Sequence, residues 1–201
     1  MKYIAALDYD HLDNGVFLTS IGRSLAEQQG VRAFIIHGES EYTERLIQTG
    51  IMRDEARVRC IKDLNHRLVA LFADQGVSTI GLNGYHKNAI RLEDGELQLD
   101  RDFFSSLPKQ PVLLLSTLVL DTESQQPVPV ELAGFLEFIS DRLYPDEVFL
   151  FSKDSDTYIP QSKTMIPDDL EGIDIDARLT TAAAFANLPV LDGSVKLDDL
   201  S

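Results

Sequence analysis

The residues best suited to chemistry lie in two short turns. The first, His37-Gly38-Glu39-Ser40, follows an apolar run and precedes a segment of helical spacing. Such a turn leaves backbone N–H groups unpaired at a helix N-terminus, where the helix dipole also favours negative charge, so it suits a phosphate or a carboxylate. Glu39 competes with any bound anion and favours a ligand that also carries an amine or amide donor. The second turn, Gly81-Leu82-Asn83-Gly84, ends another apolar run. In a parallel sheet the two turns are expected at the carboxyl ends of neighbouring strands, the edge where ligands of such sheets bind. The N–H groups of Gly38, Glu39, Ser40, Asn83 and Gly84, with the Asn83 amide, would then hold a carboxylate. A free or N-acylated amino acid meets both demands.

Other reactive residue types lack the partners their chemistry needs. His11, His37, His66 and His86 form no metal-binding spacing with Cys60, so no metal ligand set is expected. Asp8, Asp10 and Asp13 around His11 read as a solvated loop after the first strand. Cys60, between Val58 and Ile61, reads as a small buried hydrophobe with no activating neighbour. Ser20, Ser116 and Ser152 have no Gly-x-Ser-x-Gly context, which removes support for a hydrolase triad. Lys87, in the loop Tyr85-His86-Lys87-Asn88, is the cation beside the expected cleft and reads as solvated surface.

The elements that position these turns are legible in the hydrophobic pattern. Apolar runs at 3–7, 31–37, 77–82, 111–118 and 147–151 predict strands, each ending near a polar or glycine-containing turn. Helical spacing at 16–25 closes on Gly30, and a short helix through Tyr42, Leu46 and Ile47 stops at Gly50. From 54 to 75, Val58, Ile61, Leu64, Leu68, Leu71 and Phe72 recur at helical spacing, with Gly76 as the stop. Further helices are expected at 132–143 and 180–187. The run 89–99 reads as a β-hairpin around Asp94-Gly95, a preferred tight-turn pair. Alternating strands and helices imply a parallel sheet with crossover helices.

Composition narrows the function classes. At 201 residues the chain is expected to form a single domain, 1–201. A net charge of -15 repels both a nucleic-acid backbone and an anionic membrane surface, so neither is expected as a partner. One cysteine excludes an internal disulfide and fits a reducing cytoplasm. No run approaches the roughly 20 apolar residues of a membrane span.

The order FIIHGESEYTERLIQTGI, then NHRLVALFADQGVSTIGLNGYHKNAIR, resembles the amino-acid kinase family, acetylglutamate kinases above all. In that family a strand ends in His-Gly-Gly-Gly, a helix closes on Leu-Gly-Ile, and an Asn-Lys-x-Leu-Val helix leads to Gly-Leu-Ser-Gly. PVLLLSTLVLD, PVPVELAGFLEFISDRL and EVFLFSKD occupy the places of later family segments. The resemblance implies a three-layer α/β/α sandwich with a mainly parallel sheet, one hairpin at its edge and a reduced C-terminal nucleotide part. It also implies a homodimer, puts Asn88 near the substrate pocket, and aligns Arg53 with a substrate-carboxylate arginine.

The departures bear on activity. Where the family has a lysine followed by Gly-Gly, this chain reads Ala5-Ala6-Leu7-Asp8-Tyr9-Asp10, and the triple glycine has become Gly38-Glu39-Ser40. The family's Asn-x-Asn-x-Asp is Pro127-Val128-Pro129-Val130-Glu131, so only the acid remains. Arg178 is the nearest cation to the place of the second catalytic lysine, a fixed fork rather than a point charge. Removing one charge-stabilising group costs a few kcal/mol of barrier, and several are gone together. The expectation is a protein that binds a small carboxylated or acylated amino-acid-type metabolite without phosphotransferase activity and without a nucleotide cofactor. An active ATP-dependent kinase of a small carboxylate or phosphate, using Glu131 and Arg178, is one alternative. An interaction or regulatory subunit with a vestigial cleft is the other.

Overall fold

The computed structural model describes residues 2–7, 11–27, 32–40, 43, 53–145, 147–152 and 190–192. Among these residues six strands form one sheet: β1 (Lys2–Leu7), β2 (Arg32–His37), β3 (Thr79–Asn83), β6 (Val112–Ser116), β9 (Glu147–Ser152) and β10 (Val190–Asp192). Every pairing is parallel and the order is β10-β9-β1-β2-β6-β3. The remaining strands, β4 (Ile90–Glu93), β5 (Glu96–Leu99), β7 (Leu118–Asp121) and β8 (Gln126–Pro129), make a second, mixed sheet in the order β5-β4-β7-β8.

Period-two alternation sorts the strand residues between two apolar layers. Ala5, Leu7, Ala33, Ile35, Val112 and Leu114 pack with α1 (Gly15–Glu27) and α2 (Arg53–Asp74), through Phe17, Leu18, Ile21, Leu64, Leu68 and Phe72. Ile4, Ala6, Phe34, Ile36, Leu113 and Leu115 pack on the other side. There they meet α4 (Leu132–Leu143) through Phe135, Leu136 and Ile139, and also Phe104 of α3 (Arg101–Ser106) and Ile90 and Val119 of the small sheet. Each fully buried Leu, Ile or Phe contributes roughly 2 kcal/mol, so both layers hold the sheet. This is the expected three-layer α/β/α sandwich, with the second sheet sharing one outer layer.

Element ends follow local chemistry. Asn14 caps α1, its Oδ1 accepting from the Phe17 N–H at 3.1 Å. Gly76, at φ +83°, stops α2 as its position suggests, and Gly76 and Val77 N–H close on the last-turn carbonyls. Asp94 and Gly95 both have positive φ, 51° and 81°, so the β4–β5 turn is of the type that suits strand twist.

Four expectations are corrected. The hairpin is not at the edge of the large sheet, because β4 pairs with β7 and both belong to the small sheet. Residues 111–118 are two strands in different sheets, with Thr117 between them. Within the loop expected to be solvated Asp13 is exposed, but His11 is buried and its ring stacks on Phe17 with centroids 3.9 Å apart. Arg67 of α2 holds that loop by donating to the Leu12 carbonyl and the Asp13 carboxylate. Cys60 is half-buried rather than buried, and desolvation still pushes its thiol up, with Asp63 adding to the shift. The helices expected near Gly50 and at 180–187, Asp8, Asp10 and Arg178 lie outside the described residues.

Candidate functional site

The carboxyl ends of β2, β6 and β3 carry one polar row. In register, His37 pairs with Ser116 and Ser116 with Asn83. Strand alternation points all three toward the α2 side of the sheet, where α2 contributes Asn65. Their exposures are 0% for His37 and Ser116, 1% for Asn65 and 4% for Asn83. Buried polar groups are costly unless hydrogen-bonded, and here they bond to one another.

His37 and Asn65 form one half of the row. His37 Nδ1 lies 3.0 Å from the Gly38 carbonyl and Nε2 lies 3.0 Å from Asn65 Nδ2. The two contacts together assign the neutral tautomer in which Nδ1 donates and Nε2 accepts. Burial lowers the imidazole pKa to about 4, against the smaller raising effect of the Gly38 carbonyl. At neutral pH His37 is therefore an uncharged clamp on the Gly38 peptide, not a cation. Asn65 Nδ2 also reaches the Leu114 and Leu82 carbonyls at 3.3 and 3.5 Å.

Ser116 and Asn83 form the other half. Ser116 Oγ donates to Asn83 Oδ1 at 2.7 Å and accepts from the Leu118 N–H at 3.4 Å. With Oδ1 occupied, Asn83 presents its Nδ2 donors, and among the described residues no acceptor meets them.

The two turns are not on neighbouring strands. β6 runs between β2 and β3, and its exit segment, Ser116-Thr117-Leu118, fills the space between the turns. A Cβ at Gly38 would lie 3.7 Å from Thr117 Oγ1 and 3.8 Å from Leu132, so Gly38 faces this segment and the start of α4. A Cβ at Gly84 would meet the Leu118 carbonyl at 2.8 Å, so Gly84 is required by close packing. Gly81 has a similar cause: a Cβ there would lie 2.5 Å from Asn65 Oδ1. Its missing side chain makes room for Asn65.

The remaining sequence candidates divide between rim and scaffold. Glu39 is ion-paired with Arg57 of α2, which offsets its repulsion of an anion. Ser40 is buried and exchanges hydrogen bonds with Thr43, its Oγ facing the Thr43 N–H at 3.4 Å, in the manner of a helix cap. Asn88 is exposed at φ 57° in the short 3-10 turn 86–88, whose base is closed by the Ile90 N–H on the Gly84 carbonyl at 2.7 Å. Glu131 caps α4, accepting from Ala133 and Gly134 N–H at 3.1 and 2.9 Å. It thereby fills the anion position of that helix with its own carboxylate.

Ser116, Thr117 and Asn65 were not among the residues the sequence singled out for the cleft. Asn65 carries a signal in retrospect: a polar residue at a core-facing position between Leu64 and Leu68 of an amphipathic helix, opposite a glycine in a strand. The donors assembled among the described residues are neutral amides, hydroxyls and backbone groups. Among the described residues no group of three or more His, Cys, Asp or Glu is placed to hold a metal ion. No described helix is long and apolar enough to cross a membrane.

No model of a known protein family matches the chain, and no curated protein matches it. Solved structures do. An isopentenyl phosphate kinase superposes with TM-score 0.66 at 15% identity, over 100% of this chain and 94% of its own. N-acetylglutamate synthase from Neisseria gonorrhoeae, in complex with coenzyme A and L-arginine, gives TM-score 0.71 at 11% identity over 97% of this chain and 57% of the synthase. Aspartate kinase from Synechocystis gives TM-score 0.70 at 10% identity over 96% of this chain and 38% of the kinase. The chain thus spans little more than half of the synthase and well under half of the aspartate kinase. Identities this low speak for the fold alone, and the fold this chain shares with them is that of the amino-acid kinases.

Proposed function

We propose that this chain binds a small carboxylated or acylated amino-acid-type metabolite at the carboxyl edge of its large sheet, without transferring phosphate. One observation carries the reading: a buried row of neutral donors, His37-Asn65 and Ser116-Asn83, whose Asn83 Nδ2 is left over after the internal bonds are made. A ligand carboxylate or acyl oxygen accepts from Asn83 Nδ2. The Gly38-Glu39-Ser40 turn contributes backbone donors, and Glu39 with Arg57 receives an amine or a second polar group. The relative from Neisseria gonorrhoeae has structures with L-arginine and with N-acetyl-glutamate, which supports this ligand class. The resemblance further suggests a homodimer, a point that light scattering addresses directly.

The test is a thermal-shift screen of amino acids, N-acyl amino acids and dicarboxylates on wild type and on Asn83→Leu. Binding to the folded state raises the melting temperature by mass action, so a true ligand shifts wild type and not the variant. Equal shifts in both proteins, or none in either, move the vestigial-cleft reading ahead. Calorimetry with magnesium-ATP separates the kinase alternative. No heat at millimolar nucleotide is expected, and micromolar binding overturns the absence of phosphotransfer.

A further inference from the structure

A second feature lies beside Asn83. Two residues beyond it, the Tyr85 ring carries the Lys62 ammonium of α2 at 4.8 Å from its centroid, and His86 meets the same ring edge-on at 4.3 Å. Lys62 is one turn of α2 before Asn65, and His66 is one turn after Lys62. Lys62 is half-buried, whereas His66, His86 and Lys87 are exposed. Among the described residues no carboxylate forms an ion pair with Lys62, His66, His86 or Lys87. In a chain of net charge -15, a cationic group left without a carboxylate partner beside the polar row focuses anions locally.

We infer that Lys62 and His86 form an anion seat on the rim of the Asn83 cleft, so that the bound metabolite carries a second negative group besides the one held at Asn83. This rests on the ligand-binding reading above. Tyr85 positions both side chains, because its ring holds the ammonium and the imidazole packs on it in a T-shaped contact. His86 is already pressed toward neutrality, by desolvation first and then by Lys62 and His66, which α2 turns toward it. A dianion reverses that pressure and draws a proton onto His86. Binding therefore strengthens as pH falls.

The probes are glutarate, its monoamide and inorganic phosphate, titrated calorimetrically into the full chain. Wild type is expected to prefer glutarate over the monoamide by about fivefold, the scale of one exposed charge pair. Lys62→Ala and His86→Gln each reduce that preference, lowering glutarate affinity more than monoamide affinity. Lowering the pH from 8 to 6 strengthens glutarate binding in wild type and not in His86→Gln. Phosphate that competes with glutarate and needs Lys62 supports the seat and widens the ligand class to phosphate monoesters. Equal affinity for glutarate and monoamide in wild type, or a preference that survives Lys62→Ala with His86→Gln, overturns the seat. Monoamide binding that is lost in Asn83→Leu still leaves the parent reading standing. If no probe binds wild type, both readings fall together.

Discussion

The face of the large sheet that meets α4 and the face that meets α2 are built from alternate residues of the same strands, yet they end differently. On the α4 side, Ile4, Ala6, Ile36 and Leu115 continue into Phe135, Ile139 and Ile90, and the buried polar side chain at that edge is Thr117, beside Gly38 and the start of α4. On the α2 side, an equally apolar layer gives way at the carboxyl edge to His37, Ser116 and Asn83 under Asn65. A dry face maximises area removed from water. A polar row adds directional bonds of about 1 kcal/mol each and imposes several kcal/mol of desolvation if any partner is removed. The α2 face thus gives up some stability for a fixed arrangement of donors, the feature on which the proposed ligand site rests.

The contrast is broken most directly at Phe135, fully buried on the dry face. Phe135→Ala is expected to cost about 4 kcal/mol in chemical denaturation while leaving any ligand response per folded molecule intact. A loss below 1 kcal/mol means that the α4 layer does not hold the sheet.

The polar face is read through pH. The His37 pKa is about 4 in the folded chain against an ordinary 6.5, so between those values the unfolded state binds the extra proton. This contribution is fully present above pH 6.5 and is lost as pH falls toward 4, amounting to about 2 kcal/mol by pH 5. Comparing the stability of wild type and His37→Gln at pH 7.5 and pH 5 isolates it from the carboxylates. The gap between them should narrow by that amount on acidification, and a constant gap shows that His37 is not buried neutral.

The smallest effect tests the coupling of Gly81 and Asn65. Gly81→Ala puts a methyl where Asn65 Oδ1 now sits, and is expected to cost 1–2 kcal/mol. In the Asn65→Ala background the same substitution should cost clearly less, because the closer colliding atom is gone while Val69 Cγ2, 2.8 Å from the added Cβ, remains. Additive costs would falsify the claim that Gly81 exists to admit Asn65.

Much of the fold was written in local pattern. The α2 helix is legible from Val58 to Phe72 with Gly76 beyond it, and α4 from Leu132 to Leu143, because amphipathic period and end signals are properties of adjacent residues. The hairpin at Asp94-Gly95 is legible for the same reason. β8 was hidden by Pro127 and Pro129, which remove backbone donors and are tolerated because β8 lies at the edge of the small sheet. Of the site, the turns at Gly38 and Gly84 were visible as glycines after apolar runs. Their separation by β6 was not.

The sequence by itself determined α1, α2, α4, the hairpin and the runs that carry β1, β2, β3, β6 and β9, the alternation that gives the sheet two buried faces, and the loss of the lysines and glycines that phosphoryl transfer uses in the family it resembles. Tertiary structure alone decided that residues 37, 65, 83 and 116 share one polar row. Strand order is a long-range choice: β6 enters between β2 and β3 after some 30 intervening residues have built other elements, and local periodicity carries no record of which strand lies beside which.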